Sequence, residues 1–171
     1  MLITELIHCG ISPWEVEVLY EILSTKFSVS TKEIKTDDDF LSKIDLIIPI
    51  AFHDFFDWFG LRYWDKMKFI FKEMKRRRGK NNTIKIIIGF INSMKIRFIL
   101  DTLDVNKFNI AVDKINFILE LLPYHLDVEK FPNDVIEMQY IFDDHENRWI
   151  ANAVTPKKTF SFIDKSWKSL G

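Results

Sequence analysis

The chain has 171 residues, 47% of them hydrophobic and 29% charged, with a formal net charge of −1. That length suits one domain with its own core, and the balanced charge excludes a wholly basic nucleic-acid binder. A single cysteine, Cys9, excludes an intramolecular disulfide or a thiolate metal cluster, and no apolar run approaches the roughly 20 residues a membrane-spanning helix needs. The 16 phenylalanines predict an aromatic core. The start, Met1-Leu2-Ile3-Thr4-Glu5, lacks the basic and apolar regions of a signal peptide. With the lone cysteine, this gives an expectation of a reducing, cytoplasmic setting.

In chain order, residues 2–7 read as a short apolar strand. Ser12-Pro13-Trp14-Glu15 is a strong helix start. Ser12 can cap, Pro13 suits the first helical position and Glu15 completes a capping box, with Ile11 and Val16 placed as a hydrophobic staple. Trp14, Val18, Leu19, Ile22 and Leu23 form the apolar stripe of a helix ending near Lys26. Residues 27–34 read as a strand, 36–39 as an acidic turn or helix start, and 44–50 as a β-branched buried strand. A long helix is predicted over 52–78, with Phe52, Phe55, Phe56, Phe59, Tyr63, Met67, Ile70, Phe71 and Met74 at steps of three and four. Gly60 is a potential kink, and Gly79 is placed to stop the helix in the left-handed conformation.

The clearest β signal follows. Ile84, Ile86, Ile88 and Phe90 share one face, as do Met94, Ile96, Phe98 and Leu100 across an Asn92-Ser93 turn, with Lys85, Lys95 and Arg97 opposite. This predicts a hairpin with one buried side. Asp104 is placed to cap a helix carrying Phe108, Ala111, Val112, Ile115, Ile118, Leu119 and Leu122, with Pro123 at its end. Alternation of Ile136, Met138, Tyr140 and Phe142, a polar turn at 143–147, then Trp149, Ala151 and Ala153 predict a second hairpin. Beyond Pro156 the chain is polar, with Phe160, Phe162 and Trp167 available to dock it on the body.

One-sided helices and strands must pair off. The expected class is α+β: a two-layer α/β sandwich, its sheet mixed or mainly antiparallel, with about three helices on one face. The expected organisation is a single domain, 1–171, with a core at 1–122 and a C-terminal hairpin and docked tail at 123–171; an alternative boundary falls at 123–132.

Chemistry-bearing residues are few. Residues 66–80 hold Lys66, Lys68, Lys72, Lys75, Arg76, Arg77, Arg78 and Lys80 against Asp65 and Glu73. Such a run is either a solvated helix face that complements the macrodipole or a polyanion site. In the second case Lys72, Lys75, Arg76, Arg77, Arg78 and Lys80 would carry it. His53 and Asp57 lie one helical turn apart beside Asp54, which offers two metal ligands but places no third. Asp143-Asp144-His145-Glu146 is rich in donors but lacks the spacing and glycine of a calcium loop, and reads as a polar hairpin turn. His8 and Cys9, adjacent on a strand, would point to opposite faces, so Cys9 reads as structural. No glycine-rich phosphate loop, serine elbow or dinucleotide fingerprint occurs, so no catalytic residue and no cofactor is assigned.

The order of elements from Ser12 to Leu122 resembles the effector-associated constant component type of α/β module found in bacterial conflict systems. The matching pieces are Leu46-Ile47-Ile48-Pro49-Ile50, Lys75-Arg76-Arg77-Arg78, Ile84-Lys85-Ile86-Ile87-Ile88, Lys95-Ile96-Arg97-Phe98 and the helix from Phe108 to Leu122. The resemblance implies a non-catalytic adaptor joining a sensor to an effector. The first expectation is therefore a non-enzymatic interaction module with a protein partner, self-association being left open. Nucleic-acid or polyanion binding through 66–80 is the alternative, and a small metal-assisted hydrolase using His53, Asp54, Asp57 or the 143–146 turn is the second alternative.

Overall fold

A computed structural model describes residues 1–38 and 41–171. The described residues form five helices and nine strands, in the order β1 (Ile3–Cys9), α1 (Pro13–Ser24), β2 (Ser28–Glu33), β3 (Lys43–Ile48), α2 (Phe52–Phe59), α3 (Leu61–Arg78), β4 (Lys85–Phe90), β5 (Lys95–Leu100), α4 (Val105–Lys114), α5 (Ile118–His125), β6 (Glu137–Asp143), β7 (Arg148–Val154), β8 (Thr159–Ile163) and β9 (Ser166–Ser169). The strands form one sheet in the order β2-β1-β3-β4-β5-β6-β7-β8-β9. The pairs β1–β2, β3–β4 and β5–β6 are parallel and each is bridged by helices; the remaining neighbours are antiparallel. This is the expected α+β class with a mixed sheet.

The pleat puts every second side chain under the helices. Leu6, Leu46, Ile88, Phe98, Tyr140 and Ala151 sit side by side across six strands in register, and all are buried. Helices α1 to α4 bring Leu19, Leu23, Phe55, Phe59, Trp64, Phe71, Phe108 and Val112 onto that face, and one hydrophobic cluster runs through all of them. The aromatic content is used at its centre, where Phe52, Phe55, Phe90 and Phe98 meet at ring separations of 5.0–6.2 Å. No described helix is long and apolar enough to cross a membrane.

Both predicted caps form. Ser12 Oγ accepts from Glu15 N–H while Glu15 Oε1 accepts from Ser12 N–H, and Asp104 Oδ1 accepts from Lys107 N–H. Several boundaries differ from the sequence reading. The helix expected over 52–78 is two helices, because Gly60 adopts φ +94, outside any helical basin. Gly79 stops α3 with φ +72 but ψ −162, so it is not the left-handed cap. The helix expected to end at Pro123 divides at 115–117, and Pro123 lies inside α5. A proline so near the end costs only the bond to Leu119. Leu126 N–H still donates to Leu122 O, and Trp167 Nε1 donates to the carbonyl of His125. The polar tail is two further strands. Asp164 and Lys165 both take positive φ, 51° and 64°, the primed geometry of a two-residue hairpin, with Ile163 paired to Ser166. Asp39, at the end of the expected acidic turn, lies outside the described residues.

Candidate functional site

The basic run is drawn largely into internal contacts. Lys72 Nζ lies 2.7 Å from Asp113 Oδ1 on α4. Lys75 is 0% exposed, and its ammonium donates to the carbonyls of Gly79 and Asn82. It thus serves the C-terminal end of its own helix. Burial pushes its pKa down. Arg78 forks onto the carboxylate of Glu15, buried at the start of α1. Burial alone would raise the Glu15 pKa; the Arg78 fork and the Ser12 N–H outweigh it and hold the carboxyl below its usual value. Arg76 pairs with Glu73, three residues back. Arg77 lies over the exposed ring of Trp14 at 5.1 Å and 3.7 Å from Glu15. Lys80 remains exposed beyond the helix end. Of the six candidate cations, those at 72, 75, 76 and 78 are held by protein acceptors.

The metal candidates do not converge. His53 Nε2 lies 3.3 Å from Asp54 Oδ2 on an exposed surface, and among the described residues no three His, Cys, Asp or Glu side chains assemble as ligands. Residues 144–147 form a turn after β6, and Asp143 Oδ1 accepts from His145 N–H and Glu146 N–H. Cys9 is buried, with its thiol 3.9 Å from the carbonyl of Leu41.

The structure instead presents a cleft that sequence reasoning missed. It lies between α5 and the β7–β8 end of the sheet. The hollow of about 640 Å³ there is floored by Trp149, Ala151 and Phe162, walled by Ile118, Leu121 and His125, and rimmed by Lys114, Phe117, Arg148, Asp164 and Lys165. A second hollow of about 390 Å³, lined by Pro123, Tyr124, Asp127 and Lys130, shares Leu121, His125, Phe162 and Lys165 with it. The small Ala151 leaves space there: its register partner on β6 is the far larger Tyr140, whose own partner on β5 is Phe98.

Above the cleft, α5 turns apolar side chains outward. Phe117, Leu121 and Tyr124 are 57%, 46% and 68% exposed and follow each other at steps of four and three, so they form one ridge. The neighbouring stripe of α5, one residue further on at each step, anchors it through Ile118, Leu122 and His125. His125 is 7% exposed; its Nδ1 lies 2.9 Å from the hydroxyl of the fully buried Tyr140, and its ring packs on Phe162 at 4.8 Å. Burial lowers the His125 pKa to about 4 and raises that of Tyr140, so both are neutral near pH 7. Among the described residues no protein group meets His125 Nε2, and the ring lines both hollows.

The available signal for this site was the spacing of Phe117, Leu121 and Tyr124. It runs one step off the buried stripe of Ile118, Leu122 and His125, so the two merge into a helix apolar on most of its surface. No family model matches this chain, and no curated protein or solved structure matches it.

Proposed function

We propose that this chain is a non-enzymatic interaction module that docks a segment of a partner polypeptide along α5 and into the cleft beside it. The observation that carries this reading is the outward ridge of Phe117, Leu121 and Tyr124 at the mouth of an apolar hollow. Exposed apolar side chains scattered singly are ordinary, but three in a row on one helix beside a concave apolar surface are the pattern of a docking site. Aromatic anchors at such places dominate binding energies. The resemblance of residues 12–122 to conflict-system adaptor modules agrees with this reading, and the lone, buried Cys9 suits a cytoplasmic setting. Polyanion binding through the basic run is less favoured, because a phosphate would have to displace the carboxylates and carbonyls that already hold most of its cations.

A displayed random-peptide library, selected on the wild-type chain and counter-selected on a Phe117→Ser/Leu121→Ser/Tyr124→Ser variant, tests this reading. Peptides that bind the wild type and lose binding to a variant with unchanged circular dichroism support it. No enrichment, or enrichment that ignores the substitutions, overturns it.

A further inference from the structure

We infer that the cleft recognises a carboxylate carried beside a bulky apolar group, supplied by an acidic residue next to the apolar anchor of the docked partner segment. This inference rests on the docking reading and adds the chemistry that the pocket selects.

The Tyr140 hydroxyl has His125 Nδ1 as its only hydrogen-bond partner among the described residues. Either the hydroxyl donates to an unprotonated Nδ1, or a protonated Nδ1 donates to the phenol oxygen. The second arrangement strands a phenol O–H in the core, at a cost of about 1–3 kcal/mol. The first strands nothing. It fixes the neutral imidazole with its hydrogen on Nε2. Because no described protein group accepts from Nε2 and the ring lines the hollow, that N–H is the donor available to a ligand above the apolar floor. A donor of this kind calls for an acceptor on the ligand.

The rim decides the charge of that acceptor. Lys114, Arg148 and Lys165 surround the mouth, against Asp164 alone. Asp164 is within 3.7 Å of Lys168, outside the cleft. Lys114 is held by a neutral carbonyl, that of Asn147, and Arg148 by the exposed Glu146. Lys165 has no ion-pair partner among the described residues, and it lines both hollows together with His125. The apolar floor of Trp149, Ala151 and Phe162 takes the ligand's body, while the imidazole N–H and the rim cations take its anionic head. An apolar surface alone would bind an amide as readily as an acid; this arrangement prefers the acid.

The experiment is a titration of the ¹⁵N/¹³C-labelled chain with 4-phenylbutyrate, with 4-phenylbutanamide as the uncharged control. Expected are saturable shifts at Leu121, Ala151 and Phe162, a hydrogen on Nε2 and none on Nδ1 of His125, and at least about fivefold weaker binding of the amide, roughly 1 kcal/mol. His125→Gln, which keeps an N–H donor near the Nε2 position, retains the acid preference. His125→Phe and Arg148→Gln/Lys165→Gln lose it; the second variant substitutes only exposed residues, so it separates lost recognition from lost folding. Equal binding of acid and amide, shifts away from the cleft, or a hydrogen on Nδ1 overturns the inference. If these results fail while ridge-dependent peptides are still selected, the docking reading stands and only the carboxylate preference falls. If the acid preference holds while no ridge-dependent peptide is found, it is the docking reading that falls.

Discussion

The guanidinium of Arg78, the last residue of α3, donates to both carboxylate oxygens of Glu15, at 2.7 and 3.0 Å. Glu15 is also the residue that closes the capping box of α1, so one carboxylate joins the start of one helix to the end of another. What reads in sequence as a block of surface cations is, at this position, the counter-charge of a buried acid.

Arg78→Ala therefore leaves a buried carboxylate with only the Ser12 N–H and the longer contact to Arg77, and is expected to destabilise the chain by about 3 kcal/mol, whereas Arg78→Lys, a single point charge in place of a fork, costs about 1 kcal/mol. Arg76→Ala removes an exposed pair with Glu73 and leaves the denaturation midpoint nearly unmoved. Because the Glu15 carboxyl is held below its usual pKa, its contribution is present above about pH 4.5 and is lost as pH falls further. Urea denaturation of the three variants at neutral and acid pH checks the order. Equal losses for Arg76→Ala and Arg78→Ala would contradict it.

His125 gives stability a second pH dependence. Its folded pKa of about 4 lies below the ~6.5 of an unfolded histidine, so between these values the unfolded chain takes up a proton that the native chain excludes. Its contribution is complete above pH 6.5 and is lost as pH falls toward 4, up to about 3 kcal/mol at ~1.4 kcal/mol per pH unit. The non-titrating His125→Gln variant lacks this slope. The difference between the two chains across pH 7 to 4, measured by chemical denaturation, isolates it; parallel profiles would refute it. Tyr140 acts at the other end, where its raised pKa predicts loss of stability as pH climbs above 10.

Gly10 ends the turn after β1 with φ +62, and a Cβ there would collide with the carbonyl oxygen of Leu41. Gly10 O meanwhile accepts from Ser42 Oγ and from Arg78. Backbone cannot yield as a side-chain tip does, so Gly10→Ala is expected to cost at least about 2 kcal/mol. Gly79→Ala, with positive φ but no atom within 4 Å, carries the conformational cost alone and is the milder change. Thermal melts of the two variants measure the difference.

Much of this architecture was legible because it is local. Ser12 and Glu15 announce α1 by a hydrogen-bonding exchange that spans four residues, and Asp104 announces α4 in the same way. The period-two pattern of residues 84–100 fixes which side of the central hairpin is buried, since a slip of one residue would turn Ile86, Ile88, Ile96 and Phe98 outward. Less legible was the end of the chain. The turn at Asp164-Lys165 lacks the Asn-Gly signature of its geometry, and the last strands hold their places through Trp167 reaching back to the carbonyl of His125. A bond between residues so far apart leaves no local trace.

The sequence by itself determined the α+β class, the capped starts of α1 and α4 and the side of the central hairpin that faces the helices, because caps and periodicity act over a few residues; that β4 buries Ile87 on its other face as well was not legible. Only the tertiary structure decided what the basic run and α5 contact. Lys75 and Arg78 became internal partners because Asn82 and Glu15 come to meet them, and His125 became a neutral imidazole because the fold buries it against Tyr140 and Phe162. The cleft is lined by residues of α5, β7 and β8 and by Asp164 and Lys165 of the β8–β9 turn, brought together by the order of the strands. That juxtaposition belongs to the assembled layers, and no segment of the chain contains it.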